Sequence, residues 1–539
     1  MADVQLLVAN AKLVKGVGAG HSWWAEQFCA GSGDDAVDVI LTEIADKRIV
    51  VDEIGARSHQ APAPSPTRLF GPTVALRAIA ACQLCTTHTL SAAHTAKVDA
   101  GIVTHDFLDY LSKYGRGWAL GNHPWFTFQT IGGAVATGSH GSSMTYGSLS
   151  SDDQLLALDV VLANGTLAQF SKASHPFLWK ALQVSVGRLG IITALTFKIV
   201  PNEPMYRWKV DTRIETFLAQ MKRLQDGYIR DGDNAPEVEE VDGVQYCAFY
   251  TRRKTSDAAL WRSRANWVGK APRAPAAWSQ PPVQVPVADA LSDAQLAAKL
   301  ASGAPSALFR QPRTVTQRGS PLGFLLPFVG LPRSFGDGTA LSMAPLFENG
   351  TYPARTAIIA ESLSVYTGQT DGVAYDQYEA SVPMSRVHTC FSALNEKMYG
   401  PEQRWRGLRA PGLIRFVKKE TGLLSHTTDG SRVYLNIEDY VKYQSYDAVN
   451  QDFQAAWAVL RSPACQGRMH WGKTGWPESG FVGAREYPTT WCDFGCAVRE
   501  LDPNNKFRSA SHIWDWSAND MQRCCIQGQG FNHDACTCK

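Results

Sequence analysis

Between two stretches that read as strands, residues 130–143 run TIGGAVATGSHGSS. No other part of the chain narrows the choice of fold so far. A run with so little side-chain bulk cannot shield its own backbone, so its N–H groups need other partners. Loops of this kind bind pyrophosphate through main-chain donors; a flexible surface loop is the other reading. A second such stretch, VGAGHSWW, occupies residues 17–24. It is not a Rossmann loop, because the G-x-G-x-x-G spacing counted from Gly16 lands on His21 and counted from Gly18 lands on Trp23. Its glycines still let the backbone approach a ring or a phosphate closely. It reads as a cofactor loop of another kind with His21 as a reactive member, or as a turn with a solvated histidine.

At 539 residues the chain is long enough for more than one domain. Its 45% hydrophobic and 19% charged residues are those of an ordinary globular protein. A formal charge of +2 gives no electrostatic case for nucleic acid or an acidic membrane. No apolar run of about 18 residues predicts a transmembrane helix, though peripheral membrane association stays open. The amino end lacks the pattern of a signal peptide. Of 12 cysteines, Cys524, Cys525, Cys536 and Cys538 crowd the carboxyl end, with Cys492 and Cys496 just before. That predicts a disulfide knot made in an oxidising compartment, hence the secretory pathway or the exterior. A zinc site including His533 is the competing reading. Cys82 and Cys85 form a C-x-x-C on a helical run, as buried packing or as a redox pair.

Residues 3–12 put Val4, Leu7, Val8 and Ala11 on one helical stripe, and LVKGV then reads as a strand entering the first glycine loop. An αβ layer calls for a strand before that helix. The start therefore reads as shortened, with the first strand missing and a signal peptide lost with it. VDVILT and KRIVVDE are strand-like, TVALRAIAACQLCTTH is helical, and AKVDAGIVTHDFLDYLSKYG reads strand, turn, helix. LLALDVVLANGTLAQF is a hairpin turning at Asn164-Gly165. GRLGIITALTFKIVP is a turn and an apolar strand ended by Pro201. Residues 262–345, rich in Ala and Pro at their start, read as an insertion. From about 410 come the strands GLIRFVKK and RVYLNIEDY, the helix DAVNQDFQAAWAVL, then RMHWGKTGW and the loop LDPNNKFRS.

Four motifs in order, GAGHS, T-x-GG-x-x-x-TG-x-HGSS, G-x-LGIIT and HWGK, resemble the sugar-lactone and alditol oxidases of the vanillyl-alcohol-oxidase flavoprotein superfamily. GLIRFVKK and the cysteine-rich tail make the chain most similar to the plant-type L-gulonolactone oxidases. The resemblance implies FAD, bound covalently through His21. Such an imidazolyl substituent withdraws electrons and makes the ring a better hydride acceptor. It further implies that Val17, Gly18, Ala19, Gly20, His21 and Ser22, with Gly132, Gly133, Thr137, Ser139, His140, Gly141 and Ser142, wrap the pyrophosphate and ribityl chain. Gly187, Gly190 and Ile192 would hold the adenosine end. Ser139 matches the small residue that controls access of dioxygen to the flavin, which favours an oxidase.

On the substrate side, alternation puts Leu413 with Arg415, and Asn436 with Glu438, on shared strand faces. Alditol oxidases carry a glutamate two positions before the matching arginine, where this chain has Leu413, as plant-type relatives have an apolar residue. Arg415 and Lys473 are the cations expected to hold substrate oxygens. Glu438 or His470 would take the hydroxyl proton; a solvated strand-end carboxylate is the other reading of Glu438.

The implied reaction oxidises L-gulono-, L-galactono- or D-arabinono-1,4-lactone at C2 to ascorbate or an analogue, with dioxygen reduced to hydrogen peroxide. An alditol or sugar oxidase, or a non-catalytic secreted binding protein on a decayed flavoprotein scaffold, are the alternatives. The expected architecture is α+β in two domains. Residues 1–203 and 495–515 form the FAD-binding domain, 204–494 a sheet-based substrate domain, and 516–539 a cysteine-rich tail.

Overall fold

The computed structural model describes residues 2–17, 36–41, 49–52, 94–114, 117–250, 261–269, 350–353, 375–399, 412–440, 454–473, 481–508, 525–526 and 530–531. Helix Ala2–Asn10 leads into β1 (Leu13–Val17), which pairs in parallel with β2 (Ala36–Ile40). The helix is seated by Val4 and Val8, one turn apart, while Leu7 is 46% exposed and so leaves the expected stripe. Next come β3 (Ile49–Asp52), β4 (Thr95–Asp99), the short β5 (Trp118–Ala119), β6 (Leu155–Val161), β7 (Leu167–Ser171), β8 (Ile191–Lys198) and the short β9 (Val200–Pro201).

An antiparallel five-stranded sheet runs β3-β4-β8-β6-β7, and β5 pairs with β9. The β6–β7 turn closes at the expected Asn-Gly. Gly165, at φ +81°, donates its N–H to Leu162 O at 2.8 Å, and Asn164 Oδ1 accepts from Thr166 N at 2.9 Å. That φ lies in the left-handed region, which glycine enters without a Cβ penalty.

A second, eight-stranded sheet is built from β10 (Pro204–Arg213), β11 (Val244–Tyr250), β12 (Trp261–Gly269), β13 (Gly350–Pro353), β14 (Tyr375–Pro383), β15 (Gly412–Val417), β16 (Arg432–Tyr440) and β17 (Arg468–Met469). Its order is β13-β10-β12-β11-β15-β16-β14-β17, antiparallel throughout. Composition placed residues 262–269 in the insertion. They are instead the body of β12, laddered between β10 and β11. Main-chain pairing on both sides outweighs a polar side-chain pattern.

One face of this sheet is apolar. Ile414, Phe416, Val433, Leu435, Ala380 and Val382 are buried on it. Helices Ile214–Asp231 and Val387–Tyr399 pack beside this sheet, offering Phe217, Met221, Leu224, Phe391 and Leu394 to the core. Phe217, Met221 and Leu224 recur at i, i+4, i+7, one stripe of a helix. Phe217 meets Phe391 edge-on at 5.1 Å and Tyr246 at 4.9 Å. Cys390 is bonded to Cys465, tying helix Val387–Tyr399 to the segment before β17.

After helix Trp491–Leu501 the chain returns to β1 and to the turn before β8. Asp502 pairs with Arg188 at 3.6 Å, Asn505 Oδ1 accepts from Arg188 at 3.2 Å, and Lys506 O accepts from Val14 N at 3.0 Å. Cys492 and Cys496 are disulfide-bonded. Of the tail, a short ladder pairs β18 (Cys525–Ile526) with β19 (Gly530–Phe531). Side-chain readings for the remaining tail cysteines and His533, and for Cys82 and Cys85, fall outside the described residues. No helix among the described residues is long and apolar enough to cross a membrane.

Candidate active site

The other face of the eight-stranded sheet is polar, and its strand register lays out the site. Gln245 on β11 stands opposite Arg415 on β15, Arg415 opposite Tyr434 on β16, Tyr434 opposite Ser381 on β14, and Ser381 opposite Arg468 on β17. Two residues along, Leu413 faces Asn436 and Asn436 faces Glu379. Because strand side chains alternate with period two, these rows share one face. Gln245, Arg415, Asn436, Glu379 and Ser381 are all buried. Glu438 is one further step along β16, opposite Gln377. Its register position lies on the same face, and its side chain is outside the described residues.

The small-residue stretch 130–143 covers this face. Its first half is not a loop: Ile131–Ala136 is a short helix. Gly132 N donates to Ala100 O at 3.0 Å, and a Cβ at Gly132 would come within 2.6 Å of Ala100 Cβ, so tertiary contact makes a helix of a glycine pair. The second half is stitched to the sheet. Ser142 Oγ donates to Val244 O and accepts from Phe416 N at 2.9 Å; Ser143 bridges to Val417. These bonds fix His140 over Arg415. Arg415 donates from Nη1 to His140 O at 3.1 Å and from Nη2 to Glu379 Oε1. Glu379 Oε1 lies 3.4 Å from His140 Nε2. The His140 ring sits 3.8 Å from the Tyr434 ring and 5.4 Å from His470. His426, from the loop before β16, stacks on His470 at 4.8 Å.

The electrostatics follow from burial. Burial alone would push the Glu379 carboxyl up, but Arg415, His140 and His470 outweigh it and hold it well below the carboxylate range. Burial, helped by Arg415, lowers His140 against the pull of Glu379. Burial brings His470 down to about 3 and His426 well below the usual histidine value. Among the described residues, Arg415 and Glu379 thus form an ion pair beside imidazoles that burial keeps neutral.

Ser139, His140, Arg415 and His470 come together here. Gly472 lies beside Thr137, so the HWGK turn closes on the same loop, and Lys473, half-buried, donates its N–H to His470 O at 3.2 Å. Gly133 stands on the exposed side of its helix, and Gly141 packs against Asn122 and His123. Gly187 and Gly190 form the turn into β8, where Ile192 faces Val160. Val186 N donates to Ala136 O at 2.9 Å, which puts that turn at the far end of helix Ile131–Ala136. Lys15 Nζ donates to Gly187 O at 3.1 Å. Val17 ends β1, and Gly18, Ala19, Gly20, His21 and Ser22 lie outside the described residues.

Sequence reasoning missed Glu379, His426 and Tyr434. Glu379 had a signal, a carboxylate in mid-strand between residues suited to burial (YDQYEASVP). Three buried atoms on or beside this polar face, Gln245 Oε1, Arg415 Nε and Asn436 Oδ1, have no hydrogen-bond partner among the described residues. Buried polar groups left so are costly unless a bound group satisfies them. A heteroaromatic ring edged with acceptors and an N–H fits that unpaired set of one donor and two acceptors.

Residues 78–171 match the family "FAD binding domain", and residues 341–515 match "D-arabinono-1,4-lactone oxidase". Over these two segments the chain is similar to FAD-binding sugar-lactone oxidases. It is 32% identical over 174 residues to a D-arabinono-1,4-lactone oxidase of Eremothecium gossypii, covering 32% of this chain and 30% of that protein. It is 34% identical over 169 residues to the L-gulonolactone oxidase of Mus musculus, covering 30% and 36%. These alignments span about a third of each relative's length. The fold is that of a cholesterol oxidase from B. sterolicum, at 14% identity and a TM-score of 0.56, covering 94% of this chain and 91% of that one. The α+β expectation holds. The lactone-oxidase match contains Glu379, Arg415, Tyr434 and His470, while the FAD-domain match contains the loop that covers them.

Proposed function

We propose that this chain is an FAD-dependent aldonolactone oxidase acting on L-gulono-, L-galactono- or D-arabinono-1,4-lactone. The observation that carries the reading is the buried polar sheet face. The lactone-oxidase match supplies a cation, a carboxylate and imidazoles there, beneath a loop from the FAD-domain match. At C2 the substrate would lose two electrons and two protons to give a keto-lactone that enolises to ascorbate or an analogue. Bound FAD would accept the hydride and pass both electrons to dioxygen, giving hydrogen peroxide.

In this reading Arg415 and Lys473 orient the substrate oxygens and stabilise developing negative charge. The walls of the site are largely buried, which excludes water and strengthens both effects. The Ser139 side chain is small and leaves room for dioxygen. The turn at Gly187 and Gly190, with Ile192, would hold the adenosine end, and His21 would carry the flavin covalently. Residues 1–203 with 495–515 form the cofactor domain, supported by the contacts of Asp502 and Asn505 with Arg188 and of Lys506 with Val14. The disulfide-bonded cysteines 390, 465, 492 and 496 support an oxidising compartment.

The test is to denature the purified protein, resolve it on a gel, soak it in acid and image flavin fluorescence beside His21→Ala. Peroxide release is then assayed on the three lactones and on alditols. A fluorescent band lost in His21→Ala, with lactone-dependent peroxide, is the expected result. A dark band from yellow protein removes His21 as the anchor. Colourless protein sinks the flavoenzyme reading in favour of a binding protein. Peroxide from alditols alone would make it an alditol oxidase, against which Leu413 speaks.

A further inference from the structure

We infer that Glu379 and His140 form a buried acid–base pair: Glu379 fixes Arg415, and His140 Nε2 is the atom that takes up the substrate's hydroxyl proton. This rests on the lactone-oxidase reading and names a proton acceptor within it.

Tautomers decide which nitrogen is basic. A neutral imidazole has one N–H and one lone pair, and the partner of one nitrogen fixes the other. His426 Nε2 accepts from Trp471 N at 3.2 Å, so its lone pair is already used. His470 Nδ1 accepts from Gly472 N at 3.1 Å, so its proton sits on Nε2 and it can only donate there. His140 is the reverse. Its Nδ1 lies 2.9 Å from Gly141 O and must donate, which leaves the lone pair on Nε2. Among the described residues no N–H donates to that lone pair. It faces Glu379 Oε1 at 3.4 Å, and two lone pairs so placed repel until a proton comes between them. Of the three imidazoles that the described residues bring to the cluster, His140 is the one whose basic nitrogen no described backbone N–H has claimed.

Glu379 does two things at once. It is the carboxylate partner of Arg415, delivered from β14, while the position two before Arg415 on its own strand is Leu413. It also stands ready to stabilise His140 once protonated. The charges facing His140 are Arg415 on β15 and Glu379 on β14. Tyr434 on β16, His470 beyond β17 and His426 from the loop before β16 are its other titratable neighbours, and Lys473 acts on His470. Arg415 opposes protonation and Glu379 favours it. The pair therefore rests with His140 neutral and receives one proton as the substrate O–H bond breaks. The transfer is HO–C to O=C, with the proton on Nε2 and the hydride leaving separately to the cofactor.

The experiment compares wild type, His140→Gln, Glu379→Gln, Glu379→Asp and His470→Gln as flavin-loaded proteins. It reads kcat/KM against pH with D-arabinono-1,4-lactone as the probe, together with flavin content and the pH titration of flavin absorbance. Wild type should show an acid limb, where the base becomes protonated. His140→Gln should lose that limb and fall about 10²-fold or more, the usual worth of a general base. Glu379→Gln should move the limb to lower pH, because the protonated imidazole loses its anion, and shift the flavin titration with it. Glu379→Asp should restore part of both, and His470→Gln should leave the limb in place. A His140→Gln enzyme that keeps the wild-type limb and full flavin overturns the pair, as does a His470→Gln enzyme that loses it. If Glu379→Gln fails to fold, the His140→Gln and His470→Gln profiles alone decide. A wild type that binds no flavin overturns the underlying reading instead, and is told apart by flavin content.

Discussion

The two faces of the eight-stranded sheet follow opposite rules. One buries Ile414, Phe416, Val433 and Leu435 in a core shared with two helices, where neighbours need only fill space. The other buries Arg415, Glu379, Asn436 and Gln245, where each group needs a partner of matching charge or hydrogen-bonding sense. The strands are the same, so the difference is carried by alternate residues. Space-filling errors cost stability; pairing errors cost chemistry as well, because a lone buried charge is dearer than a void.

Replacing Arg415 should therefore break the comparison hardest. Arg415→Met removes the cation of the site and leaves Glu379 ionised without its guanidinium partner. Lactone-dependent peroxide release per bound flavin should fall about 10³-fold, and unfolding should cost about 3–5 kcal/mol less. A variant that loses stability but keeps turnover would demote Arg415 to a structural ion pair. On the other face, Phe217→Ala opens a cavity against Phe391 and Tyr246 and should cost about 3–5 kcal/mol. Turnover per bound flavin should stay within about twofold, since no polar partner is touched. Urea titration and flavin-normalised assays read both numbers, and a large loss of turnover in Phe217→Ala would erase the distinction.

How far this division was legible in the sequence depends on the residue. Arg415 is readable from the resemblance, which supplies the matching arginine, with alternation in GLIRFV setting it on one face with Leu413; the Asn164-Gly165 turn is a local signal that needs no tertiary context. Glu379 is not, since its meaning comes from the β14–β16 register that sets it opposite Asn436 and brings it to Arg415. His426 sits in a polar loop whose sequence says nothing of burial. At Ile131–Ala136 the sequence reads as loop, because Gly132 and Gly133 argue against helix on intrinsic propensity. Its bonds to Ile102 O and Ala100 O override that preference. The strand β12 was hidden the same way, because its composition merges with that of the Ala- and Pro-rich segment on its carboxyl side.

The Cys390–Cys465 disulfide secures the apolar side by joining the helix beneath it to the segment before β17. Replacing both cysteines by alanine should lower stability by about 2–4 kcal/mol with little change in turnover per bound flavin. Because β17 also leads into His470, a large loss of turnover would show that the disulfide holds the polar face too.

The smallest effect sharpens the comparison through pH. On the apolar face burial pushes Tyr246 upward, away from this range, but the polar face holds histidines buried neutral, His470 at about 3 and His140 and His426 also lowered. Below an unfolded value of about 6.5 the unfolded chain binds protons that the folded chain refuses. Stability is thus full above that value and declines as pH falls toward about 3, at about 1.4 kcal/mol per pH unit for each histidine that stays neutral. Asp429, held at about 2 because Arg432 and Arg468 overcome its burial, adds a later loss as pH falls from about 4 through 2. Urea midpoints at pH 7.5, 6.5 and 5.5 should show a decline that begins in the histidine window, and His470→Gln should flatten it by one histidine's share. An unchanged slope in His470→Gln would mean that His470 takes up a proton in the folded state, and the polar face would then carry a positive charge that its partners do not balance.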